Sequence, residues 1–384
     1  MRTRSGRSLA APTSVGNPNN SRSKRRRDGS PQAAPKSSSS SLSGENKSKL
    51  YVVYYEFESR EQIYYVHEFD ISNVNDDGDK VKSPSKPVLT LHVPKYPSGM
   101  GVASLGSKIY FVGGCYCGAN HVLSTDLYVY DTKEKLTVKK GQPMKAGKLL
   151  PIVLTINGRI YVISRKPHTE TTPRAEVFNP NDDSWATLPD PPFCFDVDCP
   201  YGVEAYTVKN STIFLSSRDE GIYFLDVAEP SVWRQLRVAG GVRPFPFRSV
   251  AQSVDEICYA CHQEGKHIIQ PYDFITSNGG AFLQEIKVLH PVEPKFKRLE
   301  FFVECDVVSL GDGKLGLIRS GFDDIPFLGE PVVEGRLYIT LDVFQVVLSI
   351  YSHAVSFFRL YSSTYVIADH QAIRGFPFGA FFLM

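Results

Sequence analysis

Sulfur-containing and indole side chains are scarce in this sequence, which has 7 cysteines, 4 methionines and 2 tryptophans among its 384 residues. The cysteine count is odd, and the first residues lack the apolar core of a secretory signal. An odd number of cysteines without a secretory signal fits reduced thiols inside a cell, which is what we expect.

Long uninterrupted apolar runs are also missing. The C-terminal region is rich in Phe and Tyr, but Asp342, Gln345, His353 and Arg359 interrupt every window of the roughly 20 apolar residues that a membrane helix requires. The formal net charge is only +2, and the first 49 residues carry the basic excess. We therefore expect no membrane partner and no specific nucleic-acid partner for the folded part.

Sequence motifs of catalysis are absent as well. There is no Gly-x-Ser-x-Gly and no Ser/His/Asp pattern. Gly141 to Lys148 resembles a phosphate-binding loop, but five residues separate its glycines instead of four, and no helical pattern follows. We expect no catalytic residues, no cofactor and no enzymatic activity, because function has to be argued from a site.

The segment from Met100 to Met144 shows the pattern around which the rest of the chain is organised. The apolar runs 101–105 and 108–112 flank the turn Gly106-Ser107, and this arrangement predicts a β-hairpin. Gly113 and Gly114 end the second run, and 127–130 supplies a third. The segment predicts one sheet of three to four strands.

The same pattern recurs along the chain. Further hairpins are predicted around Asn157-Gly158, Lys209-Asn210-Ser211, the link between 253 and 257, and Asp312-Gly313. The residues after the turns are 108, 159, 212, 257 and 314, which are 51, 53, 45 and 57 residues apart. A period of about 50 residues with four strands per unit predicts an all-β propeller.

An incomplete unit precedes these five. Its strand-like runs are 50–58, 63–71 and 88–93, which match the second, third and fourth strands of a blade. We therefore expect about six blades and a ring closed by a strand from the opposite end of the chain, because closure removes exposed sheet edges.

Residues 1–49 are rich in Ser, Pro, Gly, Asn, Lys and Arg, and too poor in apolar residues to form a core. We expect a disordered basic tail. The run Lys24, Arg25, Arg26 and Arg27 is of the kind that a nuclear import receptor binds, and the alternative is a solvated tail. The expected localisation is the nucleus, the cytoplasm or both.

Several segments of the predicted β region resemble the kelch repeat. They are Gly113-Gly114, a Tyr about a dozen residues later (Tyr128 or Tyr130), Asn179 to Trp185 followed by Leu188 to Pro192, and Trp233 after Phe224-Leu225-Asp226. In kelch proteins the double Gly ends an inner strand, and the Tyr and Trp pack between neighbouring blades. The resemblance implies a kelch-type propeller of the divergent plant kind.

The chain also departs from the kelch pattern. Ser164-Arg165 and Ser216-Ser217 stand where double Gly is expected, and Leu136 stands where Trp is expected. Some kelch-type propellers are enzymes, but no His here has Asp four residues before it and Glu eight before it, as the iron site of plant specifier proteins requires. No His pair is placed for a copper radical site. The resemblance therefore implies no metal ligands in this chain.

The chain also contains two cysteine-rich motifs, at 115–117 and 258–262. Cys258, Cys261 and His262 match the c-type haem attachment pattern, and Cys305 is the one plausible distant partner for a zinc site. Two cysteines on one strand-like run point to opposite or offset faces, so we expect neither haem nor zinc, although the motif leaves the question open. Cys115-Tyr116-Cys117 is interpreted as loop packing.

The C-terminal region has a different character. We expect the propeller to span 50–347, with 335–342 as a strand, and 348–384 to form an atypical tail without repeat pattern. One hypothesis is a truncated last blade followed by a non-native tail.

These expectations favour a monomeric, non-catalytic propeller that binds a partner protein through its blade-end loops. The longer loops are 115–124, 165–173, 189–201 and 322–334, which combine aromatics, Arg and Pro. Many plant kelch proteins carry an F-box, for which residues 1–49 offer no amphipathic helix. The alternatives are a substrate-recognition subunit of a ubiquitin ligase with a missing F-box, and a metal-dependent kelch enzyme. The identity of the partner is not encoded in any motif.

Overall fold

A computed structural model of the chain describes residues 49–58, 61–71, 81–83, 86–116, 122–135, 137–165, 172–193, 202–236, 243–261, 269–277, 280–292, 301–322, 337–349, 351–368 and 380–383. All regular structure in these residues is β, and they contain no helix. Within them, accordingly, no helix has the length and hydropathy to cross a bilayer. The predicted all-β class is confirmed.

The first half of the chain supplies fourteen strands, which are β1 (Lys49–Glu58), β2 (Glu61–Asp70), β3 (Val81–Lys82), β4 (Leu89–His92), β5 (Gly101–Leu105), β6 (Lys108–Val112), β7 (Cys115–Tyr116), β8 (Val122–Leu123), β9 (Leu127–Asp131), β10 (Lys139–Lys140), β11 (Ile152–Ile156), β12 (Arg159–Ile163), β13 (Ala175–Asn179) and β14 (Ser184–Thr187).

The second half supplies fourteen more, which are β15 (Ala205–Lys209), β16 (Thr212–Ser217), β17 (Gly221–Asp226), β18 (Arg234–Gln235), β19 (Ser249–Val254), β20 (Ile257–Cys261), β21 (Ile269–Ser277), β22 (Gly280–Glu285), β23 (Lys287–His290), β24 (Phe301–Gly311), β25 (Lys314–Phe322), β26 (Leu337–Ser349), β27 (Ala354–Ala368) and β28 (Ala380–Leu383).

These strands form six antiparallel four-stranded units. From the inner strand outwards they are sheet 1 (β28-β1-β2-β4), sheet 2 (β5-β6-β9-β10), sheet 3 (β11-β12-β13-β14), sheet 4 (β15-β16-β17-β18), sheet 5 (β19-β20-β21-β22) and sheet 6 (β24-β25-β26-β27). Sheets 4 and 5 are joined because β15 and β19 pair in parallel over Ala205–Thr207 and Ser249–Ala251. The inner strands of sheets 4 and 5 therefore run in the same direction.

The hairpin turns form where the sequence predicts them. Asn157 and Gly158 both have positive φ, at 50° and 72°, which is the type I′ geometry that matches the twist of two antiparallel strands. Asp312 and Gly313 repeat this geometry, at 49° and 67°. The local sequence therefore sets the register of each hairpin, and the apolar faces follow from that register.

Hydrophobic clusters fill the spaces between successive sheets, from sheets 1 and 2 round to sheets 5 and 6. A further cluster joins sheet 6 back to sheet 1, where Phe69 and Tyr365 have ring centroids 4.6 Å apart. Since a fully buried apolar side chain contributes about 1.5–3 kcal/mol, each of these interfaces is strongly stabilising. The sheets therefore close into a six-bladed β-propeller, as predicted.

Ring closure uses the last strand of the chain. β28 pairs antiparallel with β1, from Leu50 opposite Leu383 to Val53 opposite Ala380. The prediction that a strand from the opposite end completes the first blade is confirmed. β28 also contacts the inner strands on either side, β5 and β24.

The expectation of an atypical tail over 348–384 was wrong for its described residues. β27 is the outer strand of sheet 6 and pairs with β26 along Leu337–Ser349, with a bulge after Val343. Two short strands from elsewhere, β23 and β3, pair with the outer edge of β27. The C-terminal sequence lacks the turn pattern of the other units because β26 and β27 are long strands with few turns. The last blade is not truncated.

Candidate functional site

The two ends of the ring differ in how their strands are connected. Short turns join the inner strand of a sheet to the second strand at one end, which we name the short-turn end. The second strand joins the third, and each sheet joins the next, at the opposite end, where most connections are longer. We name this the long-connection end. The third strand joins the fourth at the short-turn end, where the connection from β2 to β4 is long, but most of the long connections lie at the long-connection end.

The four predicted binding loops all belong to the long-connection end, since the strand ends that flank them lie there. Most of their residues (117–121, 166–171, 194–201 and 323–334) lie outside the described residues, as do the basic run Lys24–Arg27 and His262. The described residues between and beneath these loops form two polar clusters.

The first cluster lies where sheets 3 to 6 adjoin at the long-connection end, and we name it the mouth cluster: Arg165, Glu204, Arg218, Ser249 and Asp306. Ser249 begins β19 with φ of 63°, and this kink aims its backbone N–H at the carbonyl oxygen of Glu204, 2.9 Å away. Its hydroxyl donates to Oδ1 of Asp306 on the inner strand of sheet 6, at 3.3 Å. One serine therefore connects the inner strands of three sheets.

Two arginines complete the mouth cluster. Arg218 Nη2 lies 3.3 Å from Oε1 of Glu204, and Arg218 is exposed. Arg165 donates through Nε to the carbonyl oxygen of Val203 at 3.2 Å, and its guanidinium lies over the ring of Tyr206. Guanidinium groups fixed on aromatic and backbone partners lose little side-chain entropy on binding. The cluster is suited to hydrogen bonding with a polar partner.

The pKa of Asp306 is strongly raised. Burial in the ring raises its pKa to about 6, although the hydrogen bond from Ser249 and the charge of Arg165 act in the opposite direction. Its carboxyl group therefore changes protonation near physiological pH, and it does so at the channel mouth.

The second cluster lies in sheet 2, and we name it the tyrosine cluster: Tyr116, Asp126, Tyr128 and Lys140. The hydroxyl groups of Tyr116 and Tyr128 donate to Oδ2 of Asp126 at 2.6 and 2.9 Å, and Lys140 lies 2.7 Å from Oδ1. Burial tends to raise the pKa of Asp126, but the hydrogen bonds from Lys140 and both tyrosines outweigh it and lower the pKa. The carboxylate stays ionised and holds both rings in place.

The predicted kelch positions lie at the interfaces between sheets. Gly113 and Gly114 have positive φ, and a Cβ on Gly114 would approach the carbonyl oxygen of Ser98 to 2.5 Å, so only Gly fits there. Tyr128 and Tyr130 belong to the cluster between sheets 1 and 2. Trp185 packs at the interface of sheets 2 and 3.

Trp233 packs between sheets 3 and 4 and repeats the geometry of Trp185. The indole N–H of Trp185 donates to the carbonyl oxygen of Gln142 at 2.8 Å, and that of Trp233 donates to Pro189 at 2.9 Å. Each acceptor lies in the connection that enters the sheet of its tryptophan. Both tryptophans are therefore structural.

The segment that resembles a phosphate loop is the connection from sheet 2 to sheet 3. Its Lys148 is buried and bonds Glu176 of β13, and Glu176 also accepts the backbone N–H groups of Lys145 and Ala146. A lysine buried against a carboxylate in this way is unavailable to a phosphate. The segment holds two blades together.

The cysteines are arranged differently from the prediction. Cys261 at the end of β20 forms a disulfide with Cys305 of β24, with Cα atoms 6.4 Å apart, so not all thiols are reduced. Cys258 faces the other way, fully buried, with its sulfur 3.2 Å from the hydroxyl of Ser253. Cys115 is buried. The described residues include no group of three or more metal-ligating side chains.

The mouth cluster was not found from the sequence. Asp306 and Ser249 are single polar residues on inner strands, and no motif joins positions so far apart in the chain. The sequence feature that could have indicated this cluster is the acidic residue Asp306, which directly precedes the apolar pair Val307-Val308 in a predicted inner strand.

Residues 47–346 match the family described as Protein of unknown function (DUF1668). Among curated relatives, F-box/kelch-repeat protein At2g22030 of Arabidopsis thaliana is 38% identical over 87 residues, which is 22% of this chain and 21% of the relative. F-box/kelch-repeat protein At4g19870 of the same plant is 29% identical over 149 residues, 37% of this chain and 33% of the relative. The chain thus matches about a third or less of the length of these relatives.

A solved structure titled "Structure of YjhT" covers 75% of this chain and 95% of its own, with 12% identity and a TM-score of 0.39, a superposition too loose to bear on function. The family match spans most of the chain, and the relatives are plant kelch-repeat proteins. This chain is therefore a member of the DUF1668 family and a relative of the plant F-box/kelch-repeat proteins.

Proposed function

We propose that this propeller is a non-catalytic module that binds a partner protein at its long-connection end. The observation that carries the proposal is the asymmetry of the ring: the turns from inner to second strands in sheets 2 to 6 are short, while most of the longer connections and both polar clusters lie at the opposite end. Its kelch-repeat relatives support an interaction module of this general type.

The chemistry of the long-connection end supports this proposal. Tyr96 and Tyr116 are half-buried there, and Arg218 and Arg248 are exposed. Tyrosine and arginine are enriched among the residues that dominate binding energy, because they combine apolar area with fixed hydrogen-bonding groups. Each of these side chains lies in or close to the end of a strand of the ring, and a pre-ordered scaffold of this kind lowers the entropy lost on association.

A charge-reversal pair tests the proposal. Lys95→Glu with Arg248→Glu changes the long-connection end, and Lys108→Glu with Arg159→Glu changes the short-turn end by the same formal charge; all four residues are exposed. Partner proteins purified with each form from the native cell are compared by quantitative mass spectrometry. We expect at least a roughly tenfold weaker recovery, or ~1.4 kcal/mol, only for the first pair. Loss with the second pair alone contradicts the proposal.

The second candidate function is substrate recognition within a ubiquitin ligase. It is favoured by the printed names of the relatives, which combine an F-box with kelch repeats. The test is direct binding of the purified full chain to a Skp-type linker protein. Binding supports the ligase role; a chain that retains its partners without binding the linker acts as a stand-alone module.

Nuclear localisation is a separate proposal that rests on Lys24, Arg25, Arg26 and Arg27. A fluorescent fusion of the full chain is compared with a fusion in which all four residues are alanine. We expect the nuclear fraction to fall in the variant, and an unchanged distribution overturns the proposal.

A further inference from the structure

The disulfide between Cys261 and Cys305 joins two different blades. Cys261 is the last residue of β20, the second strand of sheet 5, and Cys305 lies on β24, the inner strand of sheet 6. Sheets 5 and 6 also meet through a hydrophobic cluster and through the hydrogen bond from Ser249 to Asp306. The disulfide adds a covalent bond to an interface of noncovalent contacts.

The bond lies at the long-connection end, beside the mouth cluster. Cys305 directly precedes Asp306, whose carboxylate accepts the hydroxyl of Ser249. Residue 261 is also the last described position before the connection from β20 to β21 at that end. The disulfide is therefore one residue away from a member of the mouth cluster.

Burial separates this pair from the other described cysteines. Cys261 and Cys305 are half-buried, whereas Cys115 is 6% exposed and Cys258 is 0% exposed. Burial also raises the pKa of the Cys258 thiol, which keeps it protonated and unreactive. A small thiol or disulfide in solution therefore reaches the inter-blade pair more readily than the other two sulfurs.

We propose that Cys261 and Cys305 form a reversible redox pair that exchanges with small disulfides of the glutathione class and so tethers or releases blades 5 and 6 at the partner-binding end. The exchange itself does not depend on the proposed function; only its effect on a partner does.

The exchange balances in two steps. A thiolate of one cysteine attacks glutathione disulfide, forms a mixed disulfide and displaces one glutathione thiolate, which takes up the proton that the cysteine lost. The second cysteine thiolate then attacks the protein sulfur of the mixed disulfide and displaces the second glutathione. Two protein thiols are oxidised and one glutathione disulfide is reduced to two thiols.

The test is peptide mapping of the folded full chain after equilibration in glutathione buffers of graded redox potential. Free thiols are blocked at low pH, and the protein is digested with trypsin without reduction. Residues 249–266 and 299–314 are the expected linked peptides, and fragmentation spectra distinguish Cys261 from Cys258. Cys115 and Cys258 serve as internal controls that are blocked only after denaturation.

We expect the Cys261–Cys305 link to appear in oxidising buffer, to disappear in reducing buffer and to return on reoxidation, with hydrogen exchange around 257–261 and 301–306 slower in the linked form. The Cys261→Ser and Cys305→Ser variants should each remove the link. Two blocked thiols in every buffer overturn the proposal, and so does a link that persists in excess reduced glutathione. Partner recovery is measured separately: if the link cycles and recovery stays constant, the redox pair stands without a role in binding.

Discussion

Leu50 at the start of β1 is paired with Leu383 at the end of β28, so the first and last described strands of the chain lie side by side in one sheet. More than 300 residues separate them, and every blade must be in place before they meet. Pairing between strands so far apart in sequence carries an entropic cost of loop closure. That cost is offset only when the ring closes.

Removal of β28 should therefore destabilise the whole ring. A chain ending at residue 379 loses the partner of β1 and exposes part of Leu50 and Val52, which are 0% and 1% exposed. We expect the free energy of unfolding in urea to fall by ~3 kcal/mol or more, the value of two buried aliphatic side chains. A chain ending at residue 383 is the control. Equal urea midpoints for the two truncations would contradict closure by β28.

Substitution of either tryptophan should lower the free energy of unfolding, and the two alanine variants should differ in the size of that loss. Trp185→Phe and Trp233→Phe each remove one indole hydrogen bond to a blade connection, so each should cost ~1 kcal/mol. Trp233→Ala should cost about 3–5 kcal/mol because Trp233 is 6% exposed, and Trp185→Ala should cost less because Trp185 is only half-buried. Urea denaturation measures all four, and a reversed order of the alanine variants would refute the packing described.

Asp306 should make stability depend on pH. Its pKa in the folded chain is about 6, against 3.8 as the ordinary value, so the folded state binds the proton more tightly than the unfolded state. The contribution is complete below about pH 4 and is lost as pH rises through about 6, for a total of up to ~3 kcal/mol.

Asp306→Asn isolates this contribution, because the amide oxygen still accepts the hydroxyl of Ser249. We expect the variant to be more stable than the parent at pH 7.5 by roughly 1–3 kcal/mol and about equal to it at pH 4. Parallel pH profiles for the two proteins would show that the carboxyl group is not buried as described.

The redox pair has its own consequence for stability. Cys261 and Cys305 are 44 residues apart, and closing a loop of that length restricts the unfolded chain by up to ~4 kcal/mol. We expect the oxidised protein to unfold at a higher urea concentration than the reduced protein. Cys305→Ser is the control and should respond to neither oxidant nor reductant; a parent protein that behaves like it would exclude the cross-link.

The sequence alone predicts the repeated blades, but it does not predict the mouth cluster or the disulfide. Turn pairs such as Asn157-Gly158 set strand register locally, so the period of about 50 residues predicted six blades. Sheet 6 was misjudged at its outer strand, since β26 and β27 are 13 and 15 residues long and lack the frequent turns of the other sheets. Where a blade has few turns, the pattern that identifies it disappears.

The mouth cluster and the disulfide depend on closure of the ring. Ser249 and Asp306 are 57 residues apart, and their hydrogen bond exists because inner strands of adjacent blades converge on one axis. The Cys-x-x-Cys spacing of Cys258 and Cys261 suggested a shared ligand, whereas the strand places the two sulfurs on opposite faces. The repeat period of the sequence does not show which side chains meet where two blades pack together.

Photo-crosslinking tests the central claim, that partners bind at one end of a closed ring. A photoreactive amino acid is placed at Lys95 or Asp219 at the long-connection end, and at Lys108 or Arg159 at the short-turn end, all exposed positions. Each full-length variant is irradiated in the native cell, and its adducts are identified by mass spectrometry. The account predicts shared protein adducts from the first two positions and none from the second two; adducts of equal yield from both ends, or from the short-turn end alone, would contradict it.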